Sequence, residues 1–250
     1  MTNLSIIIPA FNEIDNLKKG VLNDVENYLF GQKLKYEVIV VDDGSTDGTR
    51  EFVEKYAEDN DKFTLIKNNH GGKAIAVMTG LIESKGEIAL FTDMDQATPI
   101  SEIEKLLPYF KEGFDIVIGS RSGRKGAPAI RKLMAFGFSL IRNLVLGLSF
   151  KDTQCGFKAF SRTAIKEIFP HLKDRWKKHL KGKSAAVNAA FDVETLFLAK
   201  KRGYKIKEVT VDWHHVGTER VQVFKDSIEA VIDILKIRIN DLAGDYKNVD

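Results

Sequence analysis

The sequence predicts an α/β protein, a mainly parallel β-sheet with helices packed on both faces. Three observations carry that prediction. Short apolar runs alternate with helical apolar spacing through the first half of the chain. The 250 residues, 44% of them apolar, suffice to bury one large core or two small ones. Several of the apolar runs also end in polar clusters of Asp, Gly, Ser and Asn, as strands do where they hand over to helices.

Taken in order, strands are expected at 5–8, 38–41, 64–66, 88–91 and 116–118, with helices at 13–28, 49–58, 73–84 and 101–110 between them. In the second half a long apolar helix at 128–148 precedes "DTQCGFKAF", a helix after Ser161, a basic loop at 171–183 and a helix around "FDVETLFLAKKRG". A strand in "YKIKEVTVDWHH" and a closing helix from about Val223 complete the chain. Phe224, Ile228, Val231, Leu235 and Ile239 recur at spacings of three and four and give that last helix an apolar stripe. No repeat, heptad series or low-complexity stretch stands out. A single domain over 1–250 is therefore expected, with one half at 1–122 and another at 123–250.

Composition removes several function classes. The lone Cys155 excludes an internal disulfide framework, and the five histidines show no zinc-like spacing with it, which points to a reducing compartment. A net charge of +3, from 38 basic and 35 acidic residues, argues against a nucleic-acid partner. Local charge is more telling: between Arg121 and Lys151 there are seven basic residues and no acidic one. The opening "MTNLSIIIPAFNE" lacks a basic leader and reads as the first strand rather than as a signal peptide or anchor. Residues 133–150 carry one charge, Arg142; a spanning helix needs roughly 20 apolar residues and tolerates a central Arg badly. This helix is expected to be buried or to lie at an interface. Two readings of it stand, a platform for a lipid chain with lipid phosphates meeting the surrounding cations, and an ordinary core helix.

In open parallel sheets ligands collect beyond the carboxyl ends of the strands, where helix N-termini also point. Here those ends read "PAFNE", "VDDGSTDGT", "TDMD" and "GSR". Residues two apart in an extended chain project to the same side, so Asp93 and Asp95 face one site while Met94 turns into packing. Their repulsion is relieved by a divalent cation, and Mg²⁺ is typically held by one or two carboxylates together with substrate phosphates and water. Asp42 and Asp43 form a second pair, and carboxylates, which only accept hydrogen bonds, suit base N–H groups and ribose hydroxyls. "NNHGGKAIAV" sets two glycines and Lys73 at a helix start, a geometry that holds anions. Each motif has a plainer alternative. Asp95 or Thr98 caps the helix after Pro99, Ser45 or Asp47 caps the helix after "VDDG", and the glycines before Lys73 are a simple connection. There is no Walker pattern and no G-x-G-x-x-G after the first strand, which weighs against a dinucleotide oxidoreductase.

With "SIIIPAFNE", "VIVVDDGSTDGT", "TDMD", "IVIGSR", "DTQCGFKAF", "FDVETL" and "EVTVDWHHVGTER" in this order, the sequence resembles the family 2 inverting glycosyltransferases of GT-A fold. Within them it is similar to the dolichyl-phosphate β-glucosyltransferase and polyprenyl-phosphate mannosyltransferase branch, over about residues 4–238. The resemblance implies a GT-A, Rossmann-like sheet whose 1–122 half binds a nucleotide-diphosphate sugar and whose 123–250 half meets the acceptor. It implies that Pro9, Asn12, Glu13, Asp42 and Asp43 hold the nucleotide, joined by Lys73, and that Asp93 and Asp95 bind Mg²⁺ or Mn²⁺ on the diphosphate. Arg121 would face the diphosphate or the acceptor phosphate, and Arg131, Asp152, Gln154, His215 and Arg220 are the acceptor-side candidates. The chain departs from the family in having Ala74 where a Gly often follows the lysine, and His214 and His215 where an Arg or Lys often stands.

The implied reaction is metal-dependent inverting transfer of a hexose to a polyprenyl phosphate. Charge that develops on the leaving diphosphate is met by the metal and Arg121, and attack from the opposite face inverts the sugar. A lipid phosphate is already anionic and needs no general base. A hydroxyl acceptor needs one, for which Asp192 of "FDVE" is the candidate; a helix N-cap is its other reading, and Asp152 carries the same ambiguity. The competing functions are transfer to a saccharide hydroxyl, sugar nucleotidyl transfer, and nucleotide-sugar binding without catalysis. The expected location is cytoplasmic, with peripheral contact at the cytoplasmic face of the membrane.

Overall fold

The computed structural model describes residues 3–32, 34–121, 129–180, 190–214 and 223–246; at 129–136, 179–180 and 223–228 it describes the backbone alone. Seven strands lie in one sheet: β1 (Leu4–Ala10), β2 (Tyr36–Asp42), β3 (Phe63–Lys67), β4 (Ile88–Thr92), β5 (Ile116–Arg121), β6 (Phe157–Ser161) and β7 (Ile206–Val211). Their order across the sheet is β3-β2-β1-β4-β6-β5-β7. Strands β1 to β4 run parallel, β5 and β7 pair in parallel, and β6 is antiparallel to both β4 and β5.

The helices are α1 (Ile14–Lys18), α2 (Val21–Phe30), α3 (Thr49–Glu58), α4 (Lys73–Glu83), α5 (Ile103–Lys111), α6 (Ala129–Leu146), α7 (Arg162–Leu180), α8 (Ala190–Lys201) and α9 (Val223–Leu242). They cover both faces, which is why Ile6, Ile7 and Ile8 are all fully buried despite the alternation of side chains along a strand. Ile7 enters the core built with α4, α7 and α8, while Ile6 and Ile8 enter the core built with α2 and α5. Helix α4 lies directly on β1. A Cβ at Gly80 would come within 2.3 Å of the Ile7 side chain, so glycine at this position sets the close approach that brings the N-terminus of α4 over the strand ends.

Three expectations are corrected, and one stretch with no expected element gains a strand. The helix expected at 13–28 is two helices, broken at Gly20, whose φ of +89° is glycine's region rather than a helix's. "DTQCGFKAF" contains a strand, β6, hidden in sequence by the charge of Lys158 at its second position. The basic stretch at 171–183 is helical as far as Leu180, with Leu172 and Trp176 buried in the core, rather than a solvated loop. On α9 the buried face is Ala230, Ile234 and Ile237, whereas Leu235 and Ile239 of the expected stripe are exposed with Ile232 and Leu242. The expected stripe and the observed one differ by a rotation of the helix: what α9 turns inward was chosen by its packing on α6 and α8.

Candidate active site

The loops that follow β1 and β2 are sewn together by side chains that accept backbone N–H groups. Asn12, in the left-handed region at φ +56°, donates its N–H to Ser45 Oγ (2.9 Å), and its Oδ1 accepts the N–H of Thr46 (2.9 Å). The N–H of Glu13 donates to Thr49 Oγ1 (2.8 Å), and that of Ile14 to Asp47 Oδ2 (3.1 Å). Pro9 lies opposite Val41 in the β1–β2 register. Ser45 is therefore a bridge to β1 rather than a cap for α3, whose N-cap is Gly48; Asp47 accepts the N–H of Thr49 and serves both loops.

The two acids of "VDDGS" divide their work. Asp42 is wholly buried and accepts from Gly44 N, Ser45 N and Arg50 Nε (2.7 Å), so its carboxylate shapes the turn. Asp43 reaches across to the loop before α4, accepting Gly71 N (3.0 Å) and Gly72 N (2.7 Å) and lying 3.0 Å from His70 Nδ1. The His70 ring stacks on Phe11 at 4.3 Å, which places two flat, partly exposed rings beside Asp43. Neither ring was singled out in sequence, since one aromatic and one histidine in separate loops carry no spacing signal.

Beyond β4 the chain turns through Asp93 and Asp95 with Met94 buried; these residues lie in a turn closed by Gln96 N on the Asp93 carbonyl (3.2 Å), not in the extended strand that the two-residue spacing assumes. Neither Asp95 nor Thr98 caps the next helix. Asp95 Oδ1 accepts Ala97 N (3.0 Å), and the following 3₁₀ turn starts from Pro99 without a side-chain cap. Burial, with Asp93 close by, holds the Asp95 carboxyl above its ordinary pKa. Asp93 Oδ1 lies 2.5 Å from the ammonium of Lys73, the first residue of α4. Its other oxygen sits against Gly156, where a Cβ would come within 2.1 Å. Gly156 thus belongs to the site because it has no side chain, a role that sequence reasoning overlooked.

These residues fit a divalent cation. Two carboxylates converge, one already attracts a cationic side chain, and the other is destabilised in its charged form by burial and its neighbour. Gln96 beside them buries an Oε1 that has no hydrogen-bond donor among the described residues. Among the described residues no three His, Cys, Asp or Glu side chains gather to enclose a metal, so a cation at Asp93 and Asp95 would need further oxygens from outside the protein.

The end of β5 faces the same space. A cavity of about 60 Å³ is lined by Asp93, Arg121, Gln154, Gly156 and Trp213, with Thr92 and the backbone turn at Ala97 and Thr98. Arg121 is held by a two-pronged pair with Asp152, Nε to Oδ2 at 2.6 Å and the second nitrogen to Oδ1 at 2.9 Å, and its guanidinium lies 5.8 Å from the Trp213 ring centroid. Burial opposes the Arg121 charge, but Asp152 keeps its pKa above the ordinary arginine value. Asp152 is in turn fixed by its own N–H, which donates to Glu208 Oε1 of β7 (2.7 Å). Its carboxylate orients Arg121, which answers the ambiguity over Asp152. The loop that carries it is pinned from the other side by Arg142, fully buried, which donates to Thr153 Oγ1 (3.0 Å), Ser139 Oγ (2.9 Å) and the carbonyls of Leu148 and Phe150. Arg142, the one charge of residues 133–150, is a staple near the C-terminal end of α6.

Asp192 lies inside the first turn of α8 rather than ahead of it, and its Oδ1 is 2.7 Å from the ammonium of Lys158, so it is not an N-cap. Lys158 is fully buried, lies 5.2 Å from the Phe91 ring centroid and also donates to the Cys155 carbonyl. Of the remaining acceptor-side candidates, the backbone of Arg131 lies in α6, while His215 and Arg220 fall outside the described residues.

The Glycosyl transferase family 2 model matches residues 5–169. A dolichyl-phosphate beta-glucosyltransferase of Dictyostelium discoideum is 34% identical over 264 residues, which cover 98% of this chain and 76% of that protein. Among solved structures, a mannosyl-3-phosphoglycerate synthase from Rubrobacter xylanophilus superposes with a TM-score of 0.65 at 16% identity, covering 97% of this chain and 75% of its own. A mannosyltransferase from Pyrobaculum calidifontis in complex with GDP-Man and Mn²⁺ gives a TM-score of 0.56 at 22% identity, over 87% of this chain and 58% of its own. These likenesses establish the GT-A fold. With a family model matching most of the chain and an identity that extends to nearly all of it, the protein belongs to glycosyl transferase family 2 and is a glycosyltransferase.

Proposed function

We propose that the protein transfers a hexose, with inversion, from a nucleotide-diphosphate sugar to a polyprenyl phosphate of the dolichyl type, using Mg²⁺ or Mn²⁺ held at Asp93 and Asp95. The observation that carries this reading is that Asp152 and Asp192, the two acids that sequence offers as bases, each already hold a cation, as does Asp93. Asp93 pairs with Lys73, Asp152 with Arg121 and Asp192 with Lys158, so among the described residues none of these three is left as a general base. A sugar hydroxyl acceptor needs a base; a phosphate does not, because it is anionic at neutral pH. The relative from Dictyostelium discoideum, by its name, uses such a lipid phosphate, and the neighbour solved with GDP-Man and Mn²⁺ supports a nucleotide-sugar donor and a divalent metal.

On this reading Asn12, Glu13, Asp43 and the Phe11–His70 pair receive the nucleotide, with Asp42 and Pro9 shaping their loops. The metal, when bound, neutralises charge on the leaving diphosphate. Arg121, aligned by Asp152, adds a fixed positive charge beside it, and an orientation set in advance costs nothing at the moment of reaction. Trp213 and Gln154 close the same cavity on the acceptor side, and Arg131, His215 and Arg220 remain the proposed contacts for the acceptor phosphate.

The lipid must be met at a membrane surface. Among the described residues no helix is long and apolar enough to cross one. Helices α6 and α9 pack together and expose Leu140 and Leu144, and Ile232, Leu235, Ile239 and Leu242, respectively. Exposed large apolar side chains on paired helices, next to a cationic stretch, suit peripheral contact with the anionic cytoplasmic face. The test is direct: UDP-glucose and GDP-mannose are each supplied with a polyprenyl phosphate and Mg²⁺ or Mn²⁺. Lipid-linked hexose and free nucleoside diphosphate are expected. Pyrophosphate release would mark a nucleotidyltransferase, and equal transfer to a water-soluble sugar with the lipid inert would overturn the acceptor assignment.

A further inference from the structure

We infer that the Lys73 ammonium is an exchangeable counter-ion for Asp93: it holds that carboxylate in the metal-free protein, a divalent cation displaces it, and the donor diphosphate receives it. Metal and nucleotide then bind as a coupled pair. The inference rests on the metal and donor assignment proposed above and adds to it a reason for their mutual dependence.

The cations around the cavity differ in how they are held. Lys158, 1% exposed, is fixed by Asp192 and the Cys155 carbonyl, and Arg121 is clamped by both oxygens of Asp152. Lys73 keeps 39% of its side chain exposed and makes its 2.5 Å pair with a single oxygen of Asp93. It is therefore the cation free to move. Asp93 is the more constrained partner, because its second oxygen is seated against Gly156 and its backbone carbonyl accepts from Gln96 N–H (3.2 Å) and Nε2 (2.9 Å). Any exchange of partners has to be made by the lysine. Around it Asp95 and Asp192 add to the negative field that Asp93 dominates.

A dication and an ammonium cannot share Asp93 without strong repulsion at this range, so the metal must displace the lysine. A new partner is close at hand. Lys73 opens α4, and the first N–H groups of a helix have no partner within it and favour an anion. The preceding loop is tied at Gly71 N and Gly72 N to Asp43, the proposed nucleotide contact, so the donor's two ends meet the same short segment. A diphosphate there satisfies the displaced ammonium and also supplies oxygens to the metal.

The experiment is a Mn²⁺ titration followed by the electron paramagnetic resonance of the free ion. It is run on the wild type, Lys73→Met and Asp95→Asn, first with Mn²⁺ alone, then with UDP and, in a separate arm, with GDP. Lys73→Gln serves as a second neutral variant, and thermal unfolding confirms that each is folded. Without nucleotide, Lys73→Met and Lys73→Gln should bind Mn²⁺ roughly tenfold more tightly than the wild type, because the competing charge is gone. The factor by which the nucleotide tightens Mn²⁺ should shrink by about as much, and by linkage so should the factor by which Mn²⁺ tightens the nucleotide. Equal or weaker binding of Mn²⁺ alone by both neutral variants overturns the inference while leaving the metal site intact, provided Asp95→Asn still abolishes binding. If Mn²⁺ binds none of the proteins, with or without nucleotide, the metal assignment falls and the inference with it.

Discussion

At the ends of β1 and β2 the acids and hydroxyls accept mainly from backbone N–H groups of the neighbouring loops, Asp42 adding a pair with Arg50, whereas beside β5 and β6 the defining contacts of Asp152 and Asp192 are with cationic side chains. Asp43 with Gly71 and Gly72, Asp47 with Ile14, and Ser45 with Asn12 typify the first arrangement. Asp152 with Arg121 and Asp192 with Lys158 typify the second. Backbone donors cannot rotate away, so the first arrangement fixes loop shape. Paired side chains hold charge in place at the cost of burying it, and the second arrangement keeps the Arg121 guanidinium from swinging. The β4 end lies between the two and borrows from both, since Asp95 accepts a backbone N–H while Asp93 pairs with Lys73.

The largest expected effect is at that middle point. Asp95→Asn keeps an oxygen for Ala97 N but loses the charge, and turnover should fall by about 10²- to 10³-fold, the scale of losing one preorganised electrostatic group. Stability should move the other way. The folded pKa of Asp95 is raised, so ionising it disfavours the folded state; that penalty is absent below the unfolded pKa, grows as pH rises through the folded pKa, and persists at neutrality. In the presence of chelator Asp95→Asn should therefore melt no lower than the wild type at pH 7 and lose that advantage in acid. A marked drop in melting temperature, or full activity in chelator, would show that the metal site has been misread.

Next comes the contrast between the two sides. Asp152→Ala should cost about 3 kcal/mol in a urea titration, because it strands the Arg121 guanidinium, and it should lower turnover as well. Asp43→Ala leaves only uncharged N–H groups without an acceptor and should cost about 1–3 kcal/mol, with calorimetry showing weaker donor binding and turnover of the bound complex changed less. If the two variants lose the same property, the distinction between a loop-shaping side and a charge-holding side fails.

Gly156→Ala sharpens the comparison without touching a charge. Its Cβ cannot coexist with Asp93 where that carboxylate stands, so Mn²⁺ affinity and activity should both fall, while substitutions at open glycines such as Gly137 should leave them unchanged. The smallest effect on stability is expected at the exposed apolar row. Leu144→Gln with Ile239→Gln should stay within about 0.5 kcal/mol of the wild type, yet reduce co-sedimentation with anionic liposomes. Unchanged sedimentation would remove these helices from the membrane-facing role.

The sequence by itself determined the parallel half of this protein and the carboxylates at its strand ends. Strands β1 to β4 are continuous apolar runs and their loops carry acids and glycines at fixed local spacing, so pattern and chemistry are read from the same few residues. What the tertiary structure decided is which charges meet. Strand β6 enters antiparallel between β4 and β5, and this pairing lines up Lys158 with Phe91 and brings Gly156 against Asp93. No local pattern marks Lys158, at the second position of a strand, as buried, because its partner Asp192 comes from α8, which is distant in the chain. The same holds for Arg142, read as the charge that keeps an apolar helix out of the membrane and found as the clamp on the loop of Asp152. Periodicity encodes which face of an element is buried, but the partner of a buried charge is set by the packing of elements distant in sequence, where desolvation makes an unpaired ion too costly to leave alone.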